Sequence, residues 1–255
     1  MPVIHVNDID MYYEIHGEGE PLVMLQGLGF EISAMVTAPG KARYLDKFTD
    51  RYRVLLFDCR GVGRTDKPDM PYTIGMLADD AAGLMDALGI ERAHVMGTSM
   101  GSQVAQVLAA KYPDRVRSLI LVVGFPRALP LMKAIGYIVT RIPGVKEKMT
   151  GWMFEQPYPP TRASFDRMAH AANRCDTRPL LKMIRVPTLI VNGTRDGIVP
   201  MKLTRELADG IPGARLVLVE GDHLFSAREP DLLIRPAREF LAEVNAVSMP
   251  EEKKP

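Results

Sequence analysis

The hydrophobic and polar positions change period along the chain, and the changes mark its elements. Ile4–Val6 and Met11–Ile15 are short apolar runs around Asn7-Asp8, which predicts a hairpin. Pro21–Leu25 (PLVML) is an apolar run ending in Gly27-Leu28-Gly29, a buried strand that feeds a flexible loop. Tyr52–Phe57 (YRVLLF) repeats the pattern, followed by Asp58 and a Gly-rich turn. Then the period lengthens. Ile74, Leu77, Ala81, Leu84 and Leu88 recur at steps of three and four, with Asp79, Asp80 and Asp86 off that stripe. The spacing predicts an amphipathic helix, and Thr73 suits its N-cap because a hydroxyl there accepts from a free backbone N–H. Further on, Ala93–Met96, Val116–Val123, Thr188–Val191 and Leu216–Val219 read as strands. Met100–Tyr112 and Leu203–Ala208 read as helices, and Phe240, Leu241 and Val244 mark a last helix with Pro236 in its first turn. Strands alternating with helices predict an α/β protein whose mostly parallel sheet is covered on both faces.

One stretch breaks this rhythm. From Gly124 to Arg185 there is no strand pattern, only helical patches around Leu129–Ile142, Val145–Phe154 and Ala163–Asn173, interrupted by prolines. It reads as a helical cap over residues 124–185, inserted between sheet strands. Residues 1–123 and 186–247 form the core, and 248–255 (SMPEEKKP) a flexible tail. The single tryptophan, Trp152, falls in the insertion, as do Met132 and Met153. These side chains read either as an adaptable apolar pocket wall or as ordinary packing under a cap.

Composition narrows the function classes. The 32 basic and 31 acidic residues give a net charge of +1, so there is no polybasic footprint for nucleic acid or an anionic membrane. The 47% hydrophobic share is ample for a buried core. No run approaches the ~18 apolar residues of a membrane span. The N-terminal run MPVIHVNDIDMYYEIHGEGEP has no charged and apolar regions of a secretory signal. Cys59 and Cys175 are far apart and lie in no CxxC, which predicts reduced thiols, a cytoplasmic protein and no metal site. Only five histidines are present, so acid–base chemistry near neutral pH has few candidates.

Gly97-Thr98-Ser99-Met100-Gly101 is a G-x-S-x-G motif with a strand before it and a low-charge helix after it. A strand that turns at once into a helix forces its serine into a strained backbone conformation. Small residues are needed on both arms because the arms nearly touch. Ser99 is therefore the candidate nucleophile. A serine hydroxyl needs a general base. His223 follows the strand Leu216–Val219 and emerges at the same sheet edge as Ser99, whereas His94 lies inside a strand, His5 and His16 on the hairpin and His170 in the insertion. The carboxylate that orients the base is Asp196, after the strand Thr188–Val191. Asp222 is the rival, although a neighbouring residue reaches its own neighbour's ring poorly.

With these motifs the chain resembles the α/β-hydrolase superfamily over essentially its whole length. Asp58-Cys59-Arg60-Gly61-Val62-Gly63-Arg64-Thr65 resembles that family's D-x-R-G-x-G-x-[ST] loop, here read as scaffolding. The resemblance implies an eight-stranded, mostly parallel sheet flanked by helices, with a small helical cap after the sixth strand. It also implies the order Ser, Asp, His for the triad. An oxyanion hole would be formed by the backbone N–H groups of Met100 and, in the loop Gln26-Gly27-Leu28-Gly29-Phe30, of Leu28. Phe30 is a candidate pocket wall or a packing residue. The loop departs from the His-Gly of many relatives, from the His-Gly-x-Pro of epoxide hydrolases and from the Gly-Gly-Pro-Gly of carbon–carbon bond hydrolases. The expected function is a serine carboxylesterase acting with water on small to medium esters or lactones, without a cofactor. A thioesterase or carbon–carbon bond hydrolase on the same triad, or a ligand receptor on the fold, remain as alternatives.

Overall fold

In the computed structural model, which describes residues 2–33, 42–129 and 151–248, eight strands join in one sheet. They are β1 (Val3–Val6), β2 (Ile9–His16), β3 (Glu20–Leu25), β4 (Tyr52–Phe57), β5 (Ala93–Thr98), β6 (Val116–Val122), β7 (Thr188–Gly193) and β8 (Arg215–Val219). Their order across the sheet is β1-β2-β4-β3-β5-β6-β7-β8. The hairpin β1–β2 and the pair β2–β4 are antiparallel, and every neighbouring pair from β4 to β8 is parallel. Asn7 turns the hairpin with φ 55°, a conformation that Asn tolerates better than most residues. The helices are α1 (Ala42–Thr49), α2 (Ile74–Ala87), α3 (Met100–Lys111), α4 (Arg162–Arg174), α5 (Arg178–Leu181), α6 (Met201–Gly210), α7 (Phe225–Arg228) and α8 (Asp231–Ser248).

Strand alternation splits the core into two apolar layers. Val23 and Leu25 of β3 face one layer, with Leu77, Ala81 and Leu84 of α2 and Val104 and Leu108 of α3. Leu22 and Met24 face the other, with Phe48 of α1 and Leu233, Ala237, Phe240 and Leu241 of α8. Central strands buried on both faces read as unbroken apolar runs, which is why they are visible in the sequence. Thr73 caps α2 as expected, its Oγ1 accepting from Met76 N–H at 3.0 Å.

Several elements differ from the sequence expectation. Helix α8 begins at Asp231, so Pro236 lies inside it rather than in its first turn. Leu233, Ile234, Ala237, Phe240, Leu241 and Val244 form one buried stripe, and that burial outweighs the hydrogen bond lost at the proline. Strand β6 stops at Val122, because Val123 takes φ 44° while its N–H donates to Val191 O at 2.9 Å. Helix α1 lies outside the sequence expectation; it spans only eight residues, too short for its periodicity to stand out, and Leu45 and Phe48 bury its apolar side. In the expected cap, Ala163–Asn173 is the heart of α4. The patch Val145–Phe154 is described only from Gly151, where a 3₁₀ turn runs to Phe154. The patch Leu129–Ile142 lies outside the described residues after its first position, as does the tail after Ser248.

The buried polar groups give the fold a pH signature. His94 is fully buried, its Nδ1 2.8 Å from Ser118 Oγ and its Nε2 3.0 Å from Asn245 Oδ1. Burial brings its pKa down to about 4, because the apolar sheet disfavours imidazolium. Below the ordinary value the unfolded chain takes up a proton that the folded one refuses, so stability falls as pH falls from 6.5 towards 4. Asp58 works in the opposite sense. Burial pushes it up to about 6, so the folded chain holds the extra proton and stability falls as pH rises through that range. Urea unfolding at pH 7 and pH 4.5 separates the two. His94→Gln should lose its stability deficit relative to wild type by about 2 kcal/mol on going to the lower pH. A deficit independent of pH would show that His94 is not held neutral.

Candidate active site

The turn between β5 and α3 carries Ser99 at φ 54° and ψ −116°, a conformation that costs an L-residue about 1–3 kcal/mol. The strand and helix arms close on each other. A Cβ on Gly97 would run into the Gly101 carbonyl, and one on Gly101 into the carbonyls of Leu25 and Gln26. Hydrogen bonds hold the turn: Ser99 N–H donates to Val122 O at 2.9 Å, and Ser102 N–H to Ser99 O at 2.9 Å. Ser99 thus stands at the carboxyl edge of the sheet and at the N-terminus of α3, whose free N–H groups favour negative charge.

Two loops from neighbouring strands meet it there. The segment after β7 and the segment after β8 are laced together, with Thr194 N–H donating to Val219 O at 2.9 Å and Arg195 N–H to Gly221 O at 2.9 Å. Gly193 permits this contact, since a Cβ there would strike the Gly221 carbonyl. The lacing brings Asp196 Oδ2 to 2.9 Å from His223 Nδ1, and His223 Nε2 to 3.1 Å from Ser99 Oγ. The Asp196 side chain is only 1% exposed. Its Oδ1 accepts from Ile198 N–H at 2.9 Å and Val199 N–H at 2.8 Å, so both oxygens are used. An ionised carboxylate only accepts, so the ring proton of neutral His223 sits on Nδ1. The Nε2 lone pair then faces the Ser99 hydroxyl. Asp222, the rival carboxylate, turns away: it accepts from Leu224 N–H at 2.8 Å and pairs with Arg228.

The Gly27–Phe30 loop lies against the same serine. A Cβ on Gly27 would sit 3.6 Å from Ser99 Cβ. Among the described residues, neither the Leu28 N–H nor the Met100 N–H donates to another group. Of the expected pocket residues, Phe30 packs near Gly27, while the Met153 sulfur lies 3.4 Å from where a Gly29 Cβ would be. Met132 and the Trp152 side chain lie outside the described residues. The Phe165 ring of α4 also closes on Gly29, a contact that no sequence motif indicated.

Behind this loop stands the 58–66 scaffold. Asp58 accepts from Ile32 N–H at 2.8 Å through Oδ1 and from Arg64 N–H at 2.8 Å through Oδ2. Arg60, 2% exposed, clamps Asp80 with two hydrogen bonds of 2.8 Å and reaches Asp8 at 2.5 and 3.1 Å. The Arg64 guanidinium stacks on the Tyr12 ring, 3.4 Å from its centroid, and on the Tyr158 ring at 4.5 Å.

The sequence model for the alpha/beta hydrolase fold matches residues 20–175. The chain belongs to the α/β-hydrolase family. A protein of Azorhizobium caulinodans named "Putative carbamate hydrolase RutD" is 33% identical, covering 96% of this chain and 100% of its own. The 2-hydroxymuconate semialdehyde hydrolase of Pseudomonas putida is 29% identical, with 91% of this chain and 90% of that one covered. Among solved structures, the enol-lactonase of Burkholderia xenovorans LB400 superposes with a TM-score of 0.82 at 26% identity, over 94% of this chain and 100% of that one. As an α/β hydrolase the chain keeps the family's mostly parallel eight-stranded sheet, and no helix among its described residues is long and apolar enough to cross a membrane.

Proposed function

We propose that this hydrolase cleaves carboxylic esters, lactones included, through an acyl-enzyme on Ser99. The observation that carries this is the hydrogen-bonded line from Ser99 Oγ to His223 Nε2 at 3.1 Å and from His223 Nδ1 to Asp196 Oδ2 at 2.9 Å. Ser99 Oγ attacks the carbonyl carbon as its proton passes to Nε2. The carbonyl oxygen becomes an anion held by the Leu28 and Met100 N–H groups. The imidazolium, steadied by Asp196, then gives its proton to the departing alkoxide. Water attacks the acyl-enzyme by the same route, with His223 taking its proton and returning it to Ser99. Residues 1–123 and 186–247 act as the catalytic core, and residues 124–185 as a cap that shapes the pocket. The protein is placed in the cytoplasm, where its two free cysteines would stay reduced.

A carbamate presents the same carbonyl to the same serine, and a relative named for carbamate hydrolysis is 33% identical. Carbon–carbon cleavage is the second reading, supported by the relative at 29% identity. The test is a fluorophosphonate probe together with a panel of p-nitrophenyl esters, lactones, carbamates and dienoic ring-cleavage products. The expected result is label on Ser99 and fastest turnover of short esters or lactones. Label that persists in Ser99→Ala would remove the serine from this role. Turnover confined to the dienoic compounds would move the assignment to carbon–carbon cleavage.

A further inference from the structure

Within the loop that carries Leu28, Phe30 N–H donates to Gly27 O at 3.3 Å, and Ser33 N–H donates to Glu31 Oε2 at 2.8 Å. The loop is also tied to distant parts of the chain. On one side Ile32 N–H is held by buried Asp58. On the other stands Gln156, from the segment that follows the Gly151–Phe154 turn. Gln156 Nε2 donates to Gly29 O at 2.7 Å and to Met153 O at 2.6 Å. Its Oε1 accepts from Glu31 N–H at 3.2 Å. One carboxamide therefore satisfies a carbonyl and an N–H on either side of Phe30, and ties both to the cap backbone.

Peptide groups are rigid planes. The Gly29 carbonyl shares its plane with the Phe30 N–H, and that N–H donates to Gly27 O, which shares its plane with the Leu28 N–H. Holding the Gly29 carbonyl therefore restrains how the Leu28 N–H is aimed. A backbone donor contributes to a transition state only when it is already aimed at the developing charge. We propose that Gln156 is a positioning residue, which holds the Gly27–Glu31 loop so that the Leu28 N–H faces the oxyanion and which makes the chemical step depend on the seating of the cap. The proposal rests on the serine-hydrolase function given above. Gln156 touches no reacting atom; it acts through the loop.

Two substitutions test it. Gln156→Met keeps the length and the packing but loses all three hydrogen bonds. Gln156→Glu keeps the shape but has no N–H for Gly29 O or Met153 O. Steady-state kinetics on a p-nitrophenyl ester should show kcat lowered about tenfold to a hundredfold in both. KM should stay within about twofold, because the lost interaction is made in the transition state. Fluorophosphonate labelling of Ser99 should slow in parallel, since the phosphonyl oxygen occupies the same donors. A cap that only encloses substrate would behave otherwise, with KM rising and kcat unchanged, and that result overturns the proposal. So does an unchanged kcat in both variants while wild type labels on Ser99. A wild-type protein that takes up no label on Ser99 brings down the serine-hydrolase function and this inference with it. Should the variants fail to fold, amide hydrogen exchange on the wild-type protein decides. The Glu31 N–H must exchange as slowly as the Ile32 N–H, and fast exchange at Glu31 overturns the clamp.

Discussion

Ser99→Ala, His223→Ala and the double variant should all lose about the same activity, on the order of a millionfold in kcat. The hydroxyl and the imidazole are two ends of one proton transfer across 3.1 Å. Without the base, the hydroxyl keeps its proton and does not attack. Without the hydroxyl, the base has only water to activate. Removing the second group after the first therefore costs nearly nothing more. The Leu28 and Met100 N–H groups survive in all three variants, so a small rate above the uncatalysed one should remain. The measurement is kcat for a p-nitrophenyl ester in the three variants. Losses that multiply in the double variant would mean that Ser99 and His223 act in separate steps.

Asp196→Asn should cost about ten-thousandfold in kcat while leaving the fold in place. The reason lies in the two N–H groups that Asp196 Oδ1 accepts, from Ile198 at 2.9 Å and Val199 at 2.8 Å. An asparagine must keep its carbonyl oxygen on that side, because an NH₂ there would face two donors. Its NH₂ then faces His223 Nδ1, which must become an acceptor. The ring proton moves to Nε2, the atom that faces Ser99. A protonated Nε2 takes no proton from the serine. Crystallography of the variant should show the ring unmoved, and the activity should show the loss. An active Asp196→Asn would leave the orienting role to another carboxylate, Asp222 being the nearest in sequence.

How far the sequence carries depends on the range of the interactions that build each feature. The turn at Ser99 is written in five consecutive residues, because its strain and its close contacts are local. The buried parallel strands are legible because two-sided burial demands continuous apolar runs. His223 is legible as the candidate base because all parallel strands deliver their exits to one edge and the other histidines lie elsewhere. Helix α8 marks the limit of local rules. Proline predicts a first turn around Pro236, but the stripe from Leu233 to Val244 extends the helix back to Asp231.

The features that escaped depend on contacts between remote segments. The pairing of Asp58 with the Ile32 N–H spans 26 positions, and the Gln156 clamp on Gly29 spans 127. A glutamine after a 3₁₀ turn has no pattern that announces such a partner. The same holds for Phe165, which looks like any apolar position of an amphipathic helix until it closes on Gly29. The sequence by itself determined the α/β architecture, the strained turn and the three residues Ser99, Asp196 and His223 as candidates. Those follow from periodicity, from backbone sterics and from the shared exit edge of parallel strands. Only the tertiary structure decided which group each ring nitrogen of His223 faces, which carboxylate turns towards the imidazole and what braces the Leu28 loop. Such choices are made by hydrogen bonds at 2.7–3.2 Å between groups far apart along the chain, and no local spacing encodes them.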